Sequence, residues 1–547
     1  MAKHPRSQAG AETVFLETAG AACWECGGSL WVISHKHRTV VTLRGLRHLV
    51  LKVRRCRNGD CPRFRQLIRP EGEGAWALPH SEVGLDVIAR VGTLRFAEHR
   101  SVPEIHRDLA AAGVRVAERT VTNLLARYEE LLTVHLRDPE ARRARLQPQG
   151  KAILALDGLQ PDVGHEVLWV VREVLSGELL LTRSLLSSTE ADLATLLEEA
   201  SASLGVPVVG VISDGQHSIR NAVRTALPGV PHQLCQFHYL RDATLPIFEA
   251  DRHAKKELKK RIRGVRPIER RREALPALPG GPDLEAPAPP GGPPSVPHAV
   301  GMPETLTGAS APAAAGLQLR DRLVAIQASL TRVLASWRAG PGEIFTELLR
   351  LTRLLQRGLE ATAALWPPVE QGYHWVRRAA HLLEPTGPQP VELRRRAYRD
   401  LLREMLHAPH TVGPLATAVA HFIQVTQSYW RGLFHCYEVS GLPRTNNDLE
   451  QLFGSVRYHE RRASGRKRAS TGLVVRGAAR IVAAVASRLQ RYGAEELRPR
   501  HLAEWRAFRA TLERRSEARR RQLRFRRHPE AYLAELELRL LHQSLPP

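Results

Sequence analysis

Three acidic residues lie where a protein fold commonly presents ligands to metal ions. Asp157 ends the apolar run at 152–156, and Asp214 ends a second apolar run that begins at residue 206. Glu450 lies far downstream, in a stretch with the pattern of a helix start. Carboxylate oxygens are the ligands that hard divalent cations prefer. Two aspartates at strand ends and a helical glutamate therefore predict a three-carboxylate site for two divalent cations.

Each of these acids also has a simpler interpretation. An Asp-Gly pair after a strand is typical of a turn, and both Asp157 and Asp214 are followed by glycine. Asp448 competes with Glu450 for the third position, although it lies two residues earlier and so on a different face of the helix. The asparagines before it could simply cap that helix. The interpretation of these three acids as a metal site is supported only by their order along the chain.

Four of the six cysteines form two close pairs near the N-terminus. They are Cys23, Cys26, Cys56 and Cys61. In a reducing compartment such pairs favour zinc over disulfides. The segment between the pairs alternates like two strands, at 38–44 and 49–53. Two cysteine turns joined by a hairpin predict a zinc ribbon with four thiolates around a tetrahedral ion, and free structural thiols are the alternative.

A second Cys-x-x-His pattern follows Asp214 and has three interpretations. Cys235 and His238 could bind zinc with other partners, brace the active site, or contact DNA. Two ligands do not close a zinc site, so bracing is favoured. Trp430 could stack on a flipped base or belong to a core. Cys436 is interpreted as an ordinary buried thiol.

Residues 80–135 have helical patterns that predict a helix-turn-helix. A capped helix runs from Ser101 to a glycine at 113, and the next helix starts near residue 116 with polar residues. The alternative is plain helix packing without DNA binding. The predicted DNA-facing residues are Arg115, Arg119, Thr120, Thr122 and Asn123. Residues 138–151 have the composition of a linker.

The next segment alternates strands and helices. Strands are predicted at 153–160, 166–174, 179–185, 206–214 and 233–239, with helices at 191–204 and 217–227. This order resembles that of ribonuclease H-like proteins, in which the first and fourth strands are neighbours. By that analogy Asp157 and Asp214 would meet at one edge of the sheet.

The remaining chain is predicted to be helical apart from one tract. A basic helix is expected at 255–272, and a proline- and glycine-rich linker at 275–316. Helices follow at 317–432, a helix from about residue 446 carries Glu450, and a basic helical tail begins after 490. The predicted domains are the zinc ribbon 1–75, the helix-turn-helix region 76–150, the first part of the core 151–245, a helical insertion 246–440, the final core helix 441–490 and the tail 491–547.

The overall charge favours a polyanionic partner. The 547 residues include 80 Lys and Arg against 56 Asp and Glu, a net charge of +24. No apolar run is long enough for a membrane helix, and the first residues carry no apolar signal core. We therefore expect a cytoplasmic protein located on DNA and away from membranes.

Several short motifs together resemble the DDE transposases of bacterial insertion sequences, and within them the Mutator-like group. They are Ala155-Leu-Asp157-Gly, Val211-Ile-Ser-Asp214-Gly, Cys235-x-x-His238 and Thr445-Asn-Asn-x-Leu-Glu450. The resemblance covers nearly the whole chain in order, including the cysteine ribbon, the helix-turn-helix and a helical insertion before the glutamate. The proline-rich tract departs from the family pattern. The fold that the resemblance implies is multidomain α/β, with a ribonuclease H-like mixed-sheet core interrupted by the all-helical insertion.

The resemblance also implies a reaction and its participants. A transposase binds the terminal inverted repeats of its element and uses two Mg²⁺ or Mn²⁺ ions to cleave DNA and join it to a target. Asp157 would bridge the ions, with Asp214 on one and Glu450 on the other. Arg457, two turns after Glu450, could contact phosphate or be merely solvated. Chemistry on two DNA ends implies a homo-oligomer on double-stranded DNA.

Two other functions remain open from the sequence. A protein descended from a transposase could bind DNA without catalysis, although an intact triad argues against this. A nuclease or resolvase on the same fold would cleave without joining.

Overall fold

The computed structural model describes residues 10–160, 166–264, 314–338, 342–385, 389–408, 413–465 and 471–544. It is a mixed α/β structure with two mixed sheets, and it divides into two compact units. Unit 1 comprises Met1–Val211, Gln216–Val230 and Asn447–Pro547. Unit 2 comprises Ile212–Gly215 and Pro231–Asn446.

The first sheet, in unit 1, contains the predicted hairpin. Its strands are β1 (Glu12–Leu16), β2 (Leu30–Thr42) and β3 (Gly45–Cys56), in the order β1-β3-β2. β3 is antiparallel to β2 and parallel to β1, and Thr42 pairs with Gly45 across a two-residue turn. Alternate residues of β3, such as Leu49 and Leu51, are fully buried on one face. The predicted hairpin is therefore confirmed, but its first strand is Leu30–Thr42 and not 38–44, because Leu43 and Arg44 form the turn.

A helical segment follows the first sheet. It comprises α1 (Glu73–Trp76), α2 (Leu85–Gly92) with a π-helical extension at Thr93–Ala97, α3 (Val102–Ala111), α4 (Glu118–Leu136) and α5 (Pro139–Leu146) with a short 3₁₀ turn at Gln147–Gln149. Ser101 and Glu104 form the predicted capping box of α3, and Gly113 after it has a φ of +80°.

The linker predicted at 138–151 is wrong, because most of it is helix α5. The Asp138 side chain accepts hydrogen bonds from the backbone N–H groups of Glu140 and Ala141 and so caps this helix. Arg142 and Leu146 are buried by the packing of α5. The linker was predicted because the stretch contains many arginines, but it forms a helix with one buried face.

The second sheet contains β4 (Ala152–Leu159), β5 (Val167–Glu173), β6 (Leu179–Leu185), β7 (Val208–Ser213) and β8 (His232–Leu234). Their order is β6-β5-β4-β7-β8, with β5 antiparallel to both neighbours. The predicted adjacency of the first and fourth strands, β4 and β7, is confirmed. Helices α6 (Glu190–Ala202) and α7 (His217–Ala226) pack their leucine, isoleucine and valine side chains with one face of β4 and β5.

Unit 2 is built from helices around an aromatic core. They are α8 (Gln236–Arg261), α9 (Ala315–Ala335), α10 (Glu343–Glu360), α11 (Trp366–Leu382), α12 (Val391–His407) and α13 (Ala416–Tyr429), followed by short 3₁₀ turns at Trp430–Gly432 and His435–Tyr437. Trp375, Tyr398 and Phe422 are completely buried in this core. The helical character predicted for 317–432 is confirmed. Of the proline-rich tract, residues 275–313 lie outside the described residues, as do residues 265–272 of the predicted basic helix.

The strand predicted at 233–239 is too long. β8 ends at Leu234, and α8 begins at Gln236. Tyr239, Ala243 and Ile247 are buried at helical spacing, so packing on the helical core overrides the strand-like composition. The helix also continues across the domain boundary that was expected at 245.

Four helices of unit 1 complete the chain. They are α14 (Asn447–Ser464), α15 (Thr471–Leu489), α16 (Leu502–Arg527) and α17 (Pro529–Ser544). The start of α14 at Asn447 confirms the predicted start of the helix that carries Glu450. No helix in the described ranges is both long enough and apolar enough to cross a membrane.

Candidate metal centre and candidate active site

The four N-terminal cysteines converge in unit 1. Their sulfur atoms all lie within 4.8 Å of one another. Cys23 Sγ lies 3.9 Å from Cys61 Sγ, and Cys26 Sγ lies 3.5 Å from Cys56 Sγ. Four thiolates bound to zinc at about 2.3 Å in a tetrahedron are separated by about 3.8 Å. The cluster could therefore bind a structural metal such as zinc.

Tight backbone turns hold the sulfur atoms in place. Gly27 has a φ of +69° and donates its N–H to the Cys23 carbonyl at 2.8 Å. In the second pair, the Cys61 N–H donates to the carbonyl of Asn58 at 3.2 Å, so the longer spacing closes into a turn. A hydrogen bond from the Gly28 backbone, helped by Cys56, lowers the pKa of the Cys26 thiol to about 7. Burial raises the pKa of the Cys56 thiol, and the pKa of the Cys61 thiol is raised to about 12, so of these three thiols only Cys26 shifts toward the thiolate that metals bind.

We predict one tightly bound zinc ion per chain. Cys23→Ser should lose the metal and lower the thermal unfolding temperature of the ribbon, because structural zinc contributes folding free energy directly. Cys436→Ser is the matched control, since Cys436 is outside the cluster, and it should keep one zinc. Elemental analysis with thermal unfolding measures both. Wild-type protein that is folded and free of metal after purification in zinc-containing medium would contradict the prediction.

Two of the predicted acids lie on neighbouring elements of unit 1. Asp157 is on β4, half-buried, and its carboxylate accepts a 2.7 Å hydrogen bond from the Gly158 N–H. Glu450 is half-buried in the first turn of α14, and this helix packs against β4. Arg457, on the same helix, interacts electrostatically with Asp157. Partial desolvation and the neighbouring Arg461 lower the pKa of Arg457, and the charge of Asp157 opposes them.

The competing acid Asp448 has a different environment. Its side chain is 79% exposed, and its carboxylate lies 3.9 Å from the Arg172 guanidinium in unit 1. Glu450 is half-buried on the same helix. The two acids at the start of this helix thus differ in burial, and Glu450 is the less exposed one.

Asp214 belongs to unit 2 and directly follows β7. The Tyr429 hydroxyl lies 3.1 Å from the Asp214 carbonyl and 3.3 Å from the Asp242 carboxylate, positioned to donate to either. Gly215 has a φ of +88°, and a Cβ placed there would lie 3.0 Å from the Tyr429 ring. Tyr429 therefore packs directly on the turn that presents Asp214. The sequence analysis missed this tyrosine, because it lies 215 positions from Asp214 and its sequence context indicates only a helix.

We predict that Gly215→Ala destabilises the protein by roughly 2–4 kcal/mol. A side chain there adopts left-handed backbone, at about 1–2 kcal/mol, and must also displace Tyr429. Gly229→Ala is the matched control, because Gly229 has a φ of +80° but open space around its Cβ position. It should lose only the backbone contribution. Equal losses in thermal unfolding of the two variants would show that the Tyr429 contact is unimportant.

Cys235 contacts the segment that precedes α14. It is completely buried, and its Sγ accepts a 3.3 Å hydrogen bond from the N–H of Asn446. The next residue, Gln236, donates its N–H to the Arg444 carbonyl at 2.9 Å. His238, in the first turn of α8, is also buried. These contacts of Cys235 are with the backbone at 444 and 446 in unit 2, and the three interpretations of the motif stay predictions.

Within the described residues, the four N-terminal cysteines are the only group of three or more Cys, His, Asp or Glu ligands within 4.8 Å of one another. Asp157 and Glu450 lie in unit 1, whereas Asp214 lies in unit 2.

Two residues of the insertion have ordinary core environments. Trp430 is half-buried, and its ring lies 5.1 Å from that of Phe434 and 6.2 Å from that of Tyr398. Burial raises the pKa of the Cys436 thiol to about 12. These environments match a core tryptophan and an unreactive thiol.

The predicted DNA-facing residues cluster at the start of α4. Thr120 is half-buried, and the exposed ones are Arg115, Arg119, Thr122 and Asn123. The apolar positions between them, such as Val121 and Leu124, are buried. The polar side chains at the start of α4 are thus exposed within unit 1, whereas Glu129 further along the helix is buried.

The chain matches no protein-family model and no curated protein sequence.

Proposed function

We propose that the protein is a DNA transposase that binds the ends of its own genetic element and catalyses metal-dependent strand cleavage and transfer. The observation that carries the proposal lies within unit 1. The helix bearing Glu450 packs against the strand bearing Asp157, and Arg457 of that helix interacts with the charge of Asp157. Two carboxylates and an arginine on neighbouring elements are a suitable arrangement for phosphoryl transfer.

The triad is assigned by the resemblance to DDE transposases. Asp157 is proposed as the shared ligand, Asp214 as a ligand of one ion and Glu450 as a ligand of the other. All three offer the hard oxygen donors that Mg²⁺ and Mn²⁺ need. Two such ions, when bound, acidify the attacking hydroxyl and stabilise the leaving oxygen. Arg457 is proposed to hold a phosphate of the DNA near Asp157.

The remaining residues of the site are proposed to support these acids. Tyr429 packs on the turn after β7 and keeps Asp214 in place, as its hydroxyl lies 3.1 Å from the Asp214 carbonyl. Cys235, with His238, is proposed to fix the backbone at Arg444 and Asn446 within unit 2. The hydrogen bond from the Asn446 N–H to Cys235 supports this role.

DNA binding is proposed to use the polar face of α4 and the basic surface of the chain. Arg119 and Asn123 are exposed at the start of α4, and Arg115 is exposed in the turn before it, which suits contact with base edges and phosphates. The net charge of +24 favours a phosphate backbone as partner. We propose double-stranded element ends and target DNA as substrates and a homo-oligomer as the working form on the nucleoid of a bacterium. The zinc ribbon is proposed to stabilise the N-terminal lobe or grip the DNA.

A second candidate is a DNA-binding protein without catalysis. The exposed polar face of α4 would serve this function with no help from the acids. Labelled DNA that carries the sequences flanking this coding region distinguishes the two functions. Cleavage at the element ends, dependent on Mg²⁺ or Mn²⁺, supports the transposase. Tight, salt-sensitive binding without cleavage under either ion would favour the DNA-binding protein.

A further inference from the structure

A network of charged side chains is buried inside unit 1. Glu129 accepts hydrogen bonds from Arg476 at 2.6 Å and from Arg480 at 3.0 Å. Arg480 also donates to Glu460 at 2.9 Å, and Arg95 donates to the other oxygen of Glu460 at 3.0 Å. All five side chains are at most 17% exposed. Each of the two glutamates is therefore bound by two arginines.

The network joins four elements of the fold. Glu129 is on α4, the helix proposed to face DNA, and both Arg476 and Arg480 are on α15. Arg95 is on the π-helical extension of α2. Glu460 is on α14, the helix that carries Glu450. Buried charges thus run without interruption from the proposed DNA-binding helix to the proposed catalytic helix.

Glu460 has a distinct position on α14. The buried face of this helix consists of Leu449, Phe453, Val456 and Glu460. Three of these are apolar. Apolar contacts have no preferred direction, so they do little to prevent a helix from rotating about its axis or sliding along it. On this face, Glu460 is the residue that forms directional hydrogen bonds, and each of its carboxylate oxygens accepts one from an arginine. It lies ten residues from Glu450, or about 15 Å along the helix axis.

A purely stabilising role does not account for this arrangement. Burying ion pairs costs several kcal/mol of desolvation per charge, and apolar replacements of whole pairs are often neutral or stabilising. In some proteins buried ionic groups instead define one geometry among several. We propose that Glu460, Arg95 and Arg480 are positioning residues that hold α14, and so Glu450, in its working position. This inference rests on the proposed function of Glu450.

The test uses full-length protein in which the Arg95–Glu460 pair becomes Arg95→Met with Glu460→Met. This double variant removes one charge of each sign and the bond from Arg480 to Glu460, but it leaves Glu129 bound to Arg476 and Arg480. We expect its unfolding temperature to stay close to that of the wild type. Hydrogen exchange of the 447–464 segment should become at least tenfold faster. Metal-dependent cleavage at saturating DNA should fall at least tenfold, with DNA affinity unchanged within twofold and the Mg²⁺ concentration for half-maximal rate raised.

Glu517→Met with Arg521→Met is the matched control, because these residues form an exposed i,i+4 pair on α16. It should leave the unfolding temperature and the hydrogen exchange of the 447–464 segment unchanged. Wild-type exchange at 447–464 in the Arg95/Glu460 double variant would overturn the positioning role. If wild-type protein cleaves no DNA, the proposed function fails, and the exchange measurement still decides whether Glu460 holds α14. Should the double variant not fold, Arg95→Lys keeps the charge but loses the guanidinium geometry, and the same exchange test applies.

Discussion

Asp214→Asn is expected to reduce strand cleavage by on the order of 10³-fold while leaving affinity for element-end DNA unchanged within about twofold. Asparagine keeps the shape of the side chain but removes the negative charge that a hard cation requires. Loss of one such ligand costs the transition state about 4 kcal/mol, which corresponds to this factor. Asp157→Asn and Glu450→Gln should show the same loss. Single-turnover cleavage rates and equilibrium DNA binding measure the two effects separately.

Asp448→Asn is the control for these variants. Asp448 is 79% exposed and lies near Arg172, so its replacement should leave cleavage within about threefold of wild type. The assignment of Glu450 would be wrong if Asp448→Asn were inactive and Glu450→Gln active. Loss of DNA binding in Asp214→Asn would instead indicate that this carboxylate has a structural role.

Glu129→Ala is expected to have the largest effect on stability, a loss of about 3–5 kcal/mol. Glu129 is completely buried, and its removal leaves Arg476 and Arg480 without their shared carboxylate. Denaturant unfolding of wild type and variant measures the difference. Glu517→Ala, which breaks an exposed pair, should cost no more than about 1 kcal/mol. Similar costs for the two variants would contradict this account of the buried charges.

The same residue predicts loss of stability in acid. Burial alone would raise the pKa of Glu129, but the charges of Arg480 and Arg476 outweigh it and hold the pKa below the ordinary 4.5. A lowered pKa in the folded state means that the carboxylate stabilises the fold above pH 4.5. That contribution is lost as the pH falls from 4.5 through the lowered value. Glu129→Ala should therefore be less sensitive to pH than wild type in this acid range.

Local sequence patterns predicted the elements whose structure is determined by residues close together in the chain. The capping box of Ser101 and Glu104 defined the start of α3, and alternation along β3 revealed the hairpin. Apolar runs at 152–156 and 208–212 became strands that are neighbours in the sheet. In each case the residues that decide the structure lie within a few positions of one another.

Long-range packing explains what the sequence analysis missed. The strand-like stretch after Leu234 is helical because Tyr239 and Ile247 pack into a core supplied by residues beyond 314. The contact of Tyr429 with the Asp214 turn spans 215 positions, and the bond from Arg480 to Glu129 spans 351. Single-sequence periodicity contains no information on such partners.

The cysteines include one site that was predictable from local spacing and one contact that was not. Cys23, Cys26, Cys56 and Cys61 were identifiable as a metal site from spacing alone, and their sulfur atoms do converge. The role of Cys235 needed the structure, because its partner is a backbone N–H at Asn446 rather than another metal-ligating side chain.

The most direct test of the central claim is strand joining. Labelled duplexes with the element's terminal sequences and free 3′-hydroxyls would be mixed with a supercoiled target plasmid, Mg²⁺ and either wild type or Asp214→Asn. We predict labelled plasmid in which the 3′ end is covalently joined to target DNA, formed only by wild type and only with the metal. Nicked plasmid without label would identify a nuclease. No plasmid product under Mg²⁺ or Mn²⁺, from protein that binds the ends tightly, would contradict the proposed transposase.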